Sequence, residues 1–176
     1  SALLAHHLDV LEDAGLIERF GSSADRRKRF VRLNEQHRML VDARVAPTRV
    51  VFVCRANSAR SQLAAALWRK LIGSEASSAG TQPARDVHRL TLQTATRHGL
   101  DLGDAVPRAF TKSLGRNATL ITVCDQSHDD LTAPLSRLHW SVPDPVHVGS
   151  HAAFERTVAQ LTERIIPIAK QANNNQ

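Results

Sequence analysis

The stretch Arg49-Val50-Val51-Phe52-Val53-Cys54-Arg55-Ala56-Asn57-Ser58-Ala59-Arg60-Ser61 decides how this chain folds. Arg49 to Val53 is a nearly continuous β-branched and aromatic run, the pattern of a strand buried on both faces of a sheet. From Ala59 apolar residues recur at helical spacing, so the intervening turn joins a buried strand to a helix. Such a junction is an anion trap. Backbone N–H groups of the turn point inward, the helix N-terminus carries partial positive charge, and Arg60 adds a planar fork suited to a tetrahedral oxyanion. The same field favours a thiolate, and Ser61 supplies a hydroxyl donor, so Cys54 is expected to be ionised near neutral pH. Arg55, Ala56, Asn57, Ser58, Ala59, Arg60 and Ser61 are the expected oxyanion contacts.

Helical periodicity covers 59–72, 87–98 and 151–170, and apolar strands are expected at 49–53, 75–79, 118–123 and 138–142. Alternation of strand and helix predicts an α/β fold, a four-stranded parallel sheet with helices on both faces. Upstream the pattern differs. Leu4, Leu8 and Leu11 predict a helix stopped at Ala14-Gly15, and Leu16-Ile17 opens a strand. The basic run Arg26-Arg27-Lys28-Arg29 then sits at the tip of a hairpin closed by Phe30-Val31-Arg32-Leu33. A polar stretch from Asn34 to Ala46 leads to Pro47, which gives units at 1–46 and 47–172 with a disordered tail at 173–176. Ser1 opens inside an apolar-periodic segment, so the chain reads as part of a longer one.

Two cysteines, Cys54 and Cys124, are too few for a disulfide-stapled secreted domain and suit a reducing compartment. No apolar run reaches the ~18 residues that a membrane span requires. A cytoplasmic protein with no membrane partner is expected. The net charge of +6 points to an anionic partner without choosing between nucleic acid and a small oxyanion.

The order Cys, five residues, Arg, Ser between first strand and first helix resembles the low-molecular-weight protein tyrosine phosphatase family, over most of residues 48 to 172. That resemblance implies Cys54 as nucleophile, Arg60 as oxyanion clamp, Asn57 as the brace of the loop and Ser61 as the hydroxyl partner of the thiolate. Ala56 departs from the Gly common in phosphatases. In His139-Trp140-Ser141-Val142-Pro143-Asp144-Pro145 the resemblance implies Asp144 as general acid, although Asp and Pro together also suit a simple turn.

Three features are similar to the arsenate reductases that share this fold: Gln62 after Arg60-Ser61, Trp140 ahead of the Pro-Asp-Pro loop, and Val146, His147 and Val148 where phosphotyrosine-directed members carry aromatics. The chain has no Tyr. Reduction requires a second thiol, and Cys124, after Leu120-Ile121-Thr122-Val123, is the internal candidate; it is equally readable as a small buried hydrophobe. Asp129, Asp130 and Leu131 stand where thioredoxin-coupled reductases carry a further cysteine. The resemblance therefore implies no tightly bound cofactor and no metal, but an external thiol reductant: mycothiol, glutathione or a thioredoxin or other redoxin system.

Residues 1 to 33 resemble the recognition helix and wing of an ArsR-type winged helix-turn-helix domain, which implies a homodimer and DNA as a partner of the intact domain. Ala2, Ala5, His6 and Asp9 would approach the major groove, and Arg26, Arg27, Lys28 and Arg29 would meet phosphates. The basic run is also readable as a solvated hairpin tip. The expectation is an arsenate reductase fused to an arsenic-responsive DNA-binding regulator. A low-molecular-weight protein tyrosine phosphatase, or a transcriptional regulator whose phosphatase-like domain senses an oxyanion without catalysis, are the alternatives.

Overall fold

The computed structural model describes residues 2–22, 24–34, 49–131 and 137–174. Residues 35–48, with most of the expected linker and Pro47, lie outside the described residues. The chain divides into two compact units, Ser1–Arg44 and Val45–Gln176.

In the first unit α1 (Ala2–Asp13) ends at Gly15, whose φ of +69° suits a residue without a Cβ. Strands β1 (Ile17–Gly21) and β2 (Arg29–Leu33) pair antiparallel, with Ile17 opposite Leu33 and Gly21 opposite Arg29. Arg19 binds Asp9 at 2.7 Å and also Glu12, tying the helix to the hairpin. At the tip the Ser22 hydroxyl accepts the Ala24 and Asp25 amides, and Arg27 folds back onto Asp25. Arg29 belongs to β2 rather than to the tip.

The second unit is a parallel sheet in the order β4-β3-β5-β6, made of β3 (Arg49–Cys54), β4 (Glu75–Gly80), β5 (Thr119–Thr122) and β6 (Arg137–His139). Cys54 aligns with Gly80 on one side, and Val53 with Thr122 on the other, so both cysteines reach the carboxyl edge. Helices α2 (Arg60–Ile72), α3 (Arg89–Arg97) and α6 (His151–Asn174) cover one face. Phe52 anchors that core, with Trp68 at 5.7 Å and Trp140 at 5.6 Å between ring centroids. Fully burying a side chain such as Phe52 stabilises by about 1.5–3 kcal/mol relative to exposure. Val51, Val53 and Leu120 face the other way, under Phe110, Leu114, Ala118 and Leu131. Leu131 ends the short helix α4 (Asp125–Asp130).

The expected strand at 138–142 is shorter. It stops at His139, the Trp140 amide makes one further bond to Thr122 O at 2.8 Å, and the chain then turns toward α2. Pro143 and Pro145, which donate no amide, follow, and α5 (Pro145–Val148) begins under an Asp144 cap. Asn173 and Asn174 lie within α6, so the helix enters the stretch read as a disordered tail.

Candidate active site

Each wall of the oxyanion loop has a local cause. Asn57 sits at φ +51°, a left-handed conformation that Asn tolerates better than most residues, and this turns the loop so that the Asn57 amide points at Cys54 Sγ from 3.2 Å. The Asn57 side-chain amide donates to Ser61 Oγ at 2.8 Å, and Ser61 Oγ lies 3.0 Å from Cys54 Sγ. Asn57, Ser61 and Cys54 are thus joined in one buried set of hydrogen bonds. Ala59 caps α2 without a side-chain bond, leaving the first amides of that helix facing the loop.

The segment after β4 forms the outer wall, and sequence patterns did not reveal it. The amides of Thr81, Gln82, Ala84 and His88 donate in turn to the carbonyls of Cys54, Arg55, Ala56 and Ser58, at 2.8–3.1 Å. These bonds are all main-chain, so residue type carries little trace of them. Gly80 is the one signal of them in the sequence: a Cβ there would meet Arg55 O at 2.6 Å, so only glycine lets the two segments approach. The Arg55 side chain points outward to Gln82 Oε1, at 2.9 Å from Nη2, so Arg55 can serve an anion in the loop through its backbone alone.

Arg60 is buried, and its fork is already occupied: Nη1 donates to Val142 O at 3.0 Å and Nη2 to Asp144 Oδ2 at 2.7 Å. Asp144 caps α5 with its other oxygen, 3.0 Å from the Val146 amide. Arg60 and Asp144, expected as clamp and acid, are thus brought together as an ion pair.

Burial pushes the Cys54 thiol up from the ordinary thiol range, while the Arg60 guanidinium and the Ser61 hydroxyl pull the other way. Cys54 is 2% exposed, and the hydration lost on burial opposes the donors that favour its thiolate.

Cys124 follows β5 and caps α4, its sulfur accepting the Ser127 amide at 3.4 Å. It is buried, and a negative charge on it would oppose one on Cys54. Beside it Asp125 is buried against His139 Nε2 at 3.0 Å, and His139 Nδ1 meets Thr122 Oγ1 at 2.8 Å. Trp140, the residue that resembles the arsenate reductases, packs in the core against Phe52. Among the described residues no cluster of three metal-ligating side chains occurs, and no helix is long and apolar enough to cross a membrane.

A buried cysteine that ends a central strand, followed by a helix whose first arginine pairs with a Pro-bounded aspartate, is the layout of an enzyme of the α/β class. Residues 49–176 match the family model of low molecular weight phosphotyrosine protein phosphatases, and the chain belongs to that family. An arsenate reductase of Brevibacillus brevis is 32% identical over 104 residues, 54% of this chain and 75% of that protein. One from Halalkalibacterium halodurans is 28% identical over 132 residues, 69% of this chain and 94% of that protein. Among solved structures, a thioredoxin-dependent arsenate reductase of Corynebacterium glutamicum superposes with a TM-score of 0.60 at 27% identity, covering 78% of this chain and 67% of that one. The tyrosine phosphatase Wzb of Escherichia coli K30, in complex with sulphate, superposes at 0.63 and 21% identity over 70% of this chain and 97% of that one, which shows the fold.

Proposed function

We propose that residues 47–172 are an arsenate reductase. Cys54 Sγ attacks arsenate, an arsenate oxygen leaves as water with a proton from Asp144, and a covalent Cys54 sulfur–arsenic bond forms. A second thiol then attacks Cys54 Sγ. A disulfide forms, the sulfur–arsenic electron pair stays on arsenic, and arsenite departs. What supports this reading over a phosphatase is that Val146, His147 and Val148, not aromatic residues, follow Asp144-Pro145, and that Cys124 is a second buried thiol at the same carboxyl edge, one of two possible sources of the second sulfur. A phosphotyrosine ring would find little to stack on. The similarity to several arsenate reductases supports the same choice. The electrons come from an external thiol, mycothiol, glutathione or a redoxin. Parallel assays of arsenite release and of p-nitrophenyl phosphate hydrolysis on one preparation test the proposal; robust phosphatase turnover without arsenite would replace it.

The first unit is proposed to be the recognition helix and wing of an ArsR-type winged helix-turn-helix domain, acting as a homodimeric DNA-binding regulator when intact. Its helix and antiparallel hairpin with Arg26, Arg27 and Lys28 exposed support this. Replacing those three cations by Ala should lower the log–log salt slope of DNA binding by about 0.9 for each phosphate that is no longer neutralised. An unchanged slope would return the run to a solvated hairpin tip.

A further inference from the structure

Gln62 is buried immediately after Ser61, and the catalytic scheme above gives it no task. Its side-chain nitrogen lies 3.1 Å from Asn57 O and 3.4 Å from Asn57 Oδ1. A main-chain carbonyl only accepts, so the NH2 end of Gln62 must face Asn57. The orientation of Asn57 follows by the same accounting. The Arg108 amide donates to one end of the Asn57 side chain at 2.9 Å, and a backbone N–H cannot accept, so that end is the oxygen. Its NH2 end is left for Ser61 Oγ, 2.8 Å away. Ser61 Oγ accepts that N–H and lies 3.0 Å from Cys54 Sγ, so that with the sulfur as thiolate the hydroxyl hydrogen is the donor of that contact. The chain of bonds therefore runs from Gln62 and the Arg108 amide through Asn57 and Ser61 to the sulfur.

We propose that Gln62 is a positioning residue for Cys54: it holds left-handed Asn57 by both its main-chain oxygen and its side-chain oxygen, so that Ser61 is kept as a donor to the reacting sulfur. This rests on Cys54 being the nucleophile. A donor to sulfur favours thiolate over thiol, so Gln62 adds to the pull that works against burial at Cys54. An apolar side chain at the same place would fill the space and leave Asn57 free to turn, and a carboxylate would repel the two oxygens that Gln62 now holds.

The test is the pH dependence of Cys54 alkylation by iodoacetamide, mapped by mass spectrometry, in wild type, Gln62→Leu, Gln62→Glu and Ser61→Ala. Both Gln62 variants should shift the alkylation midpoint upward by about one unit, hence about tenfold slower alkylation on the acid side of the midpoint. In the Ser61→Ala background the same replacements should shift it no further, because the chain is already cut. A merely structural Gln62 would lower the melting temperature of the variants and leave the midpoint in place, and that result, or equal shifts in both backgrounds, overturns the proposal. If neither variant folds, the wild type decides: the Gln62 side-chain amide resonances should be protected from solvent and should move when Cys54 is alkylated, and unprotected resonances overturn it. Failure of the nucleophile assignment looks different, as turnover that survives complete alkylation of Cys54.

Discussion

Arg60 Nη2 lies 2.7 Å from Asp144 Oδ2 across 84 residues of sequence, so the guanidinium to which the proposed function gives the oxyanion already holds a carboxylate of its own chain. Under that proposal an arriving arsenate would compete with Asp144 for the fork. Displacement would free the Asp144 carboxyl from that pair and leave it beside the bound anion, where a general acid has to stand.

Asp144→Asn removes both the acid and the competitor. The expected outcome is slower formation of the Cys54 adduct, by about 10²-fold, with sulfate or arsenate bound several-fold more tightly than by wild type. Rapid-quench kinetics and calorimetry separate the two effects. An unchanged rate of adduct formation would remove Asp144 from the acid role.

Arg60→Lys keeps the charge but loses the fork. One ammonium cannot serve Val142 O, Asp144 and two oxyanion oxygens with the geometry of a guanidinium, so anion affinity should fall by at least about tenfold and turnover with it. Near-normal affinity for sulfate in this variant would place the anion elsewhere.

Cys54→Ser should abolish turnover and still bind sulfate, because the loop amides and Arg60 remain. It should also alter stability with pH. The folded state holds the Cys54 proton more tightly than the unfolded chain, so this group's contribution is fully present below the unfolded thiol value of ~8.5 and is lost as pH rises toward the folded value. Wild type should therefore lose stability above about pH 8.5 more steeply than Cys54→Ser. Parallel chemical denaturation curves at pH 7 and pH 10 read this directly, and identical slopes would refute the burial-dominated thiol.

The strand, loop and helix around Cys54 were legible because each leaves a side-chain signature: an apolar run, a Cys and Arg at fixed spacing, then helical periodicity. What the sequence hid is of three kinds. The wall at 81–88 is bonded through main chain, so only Gly80 marks it. Helix α4 buries Asp125 and Ser127, polar residues held by the Cys124 cap and by His139, and so shows no apolar stripe. The strand read at 138–142 ends early because Trp140 and Val142 are core residues of an irregular segment, and burial alone does not distinguish that from a strand. The Arg60–Asp144 pair was implied as two roles, but its closure is a tertiary contact that no local pattern encodes.

Cys124→Ser tests where the second sulfur comes from. Cys124 is buried and held at the cap of α4 by the Ser127 amide and hydroxyl, so reaching Cys54 requires it to leave those contacts. Parallel strands lie about 4.8 Å apart, and Cys124 sits one residue beyond the position aligned with Cys54, so the Cα separation a disulfide needs, about 4.4–6.8 Å, is within reach of a small shift. Release of Cys54 would then leave a Cys54–Cys124 disulfide for an external reductant, and the variant should stall after one adduct. The alternative is direct attack on Cys54 by a small thiol such as mycothiol or glutathione, which the absence of a further cysteine at 129–131 favours. In that case Cys124→Ser keeps most of its turnover with that donor, and mass spectrometry of trapped enzyme finds the donor joined to Cys54. We expect the second result, and a Cys54–Cys124 disulfide mapped in wild type during turnover, with loss of turnover in the variant, would reverse it.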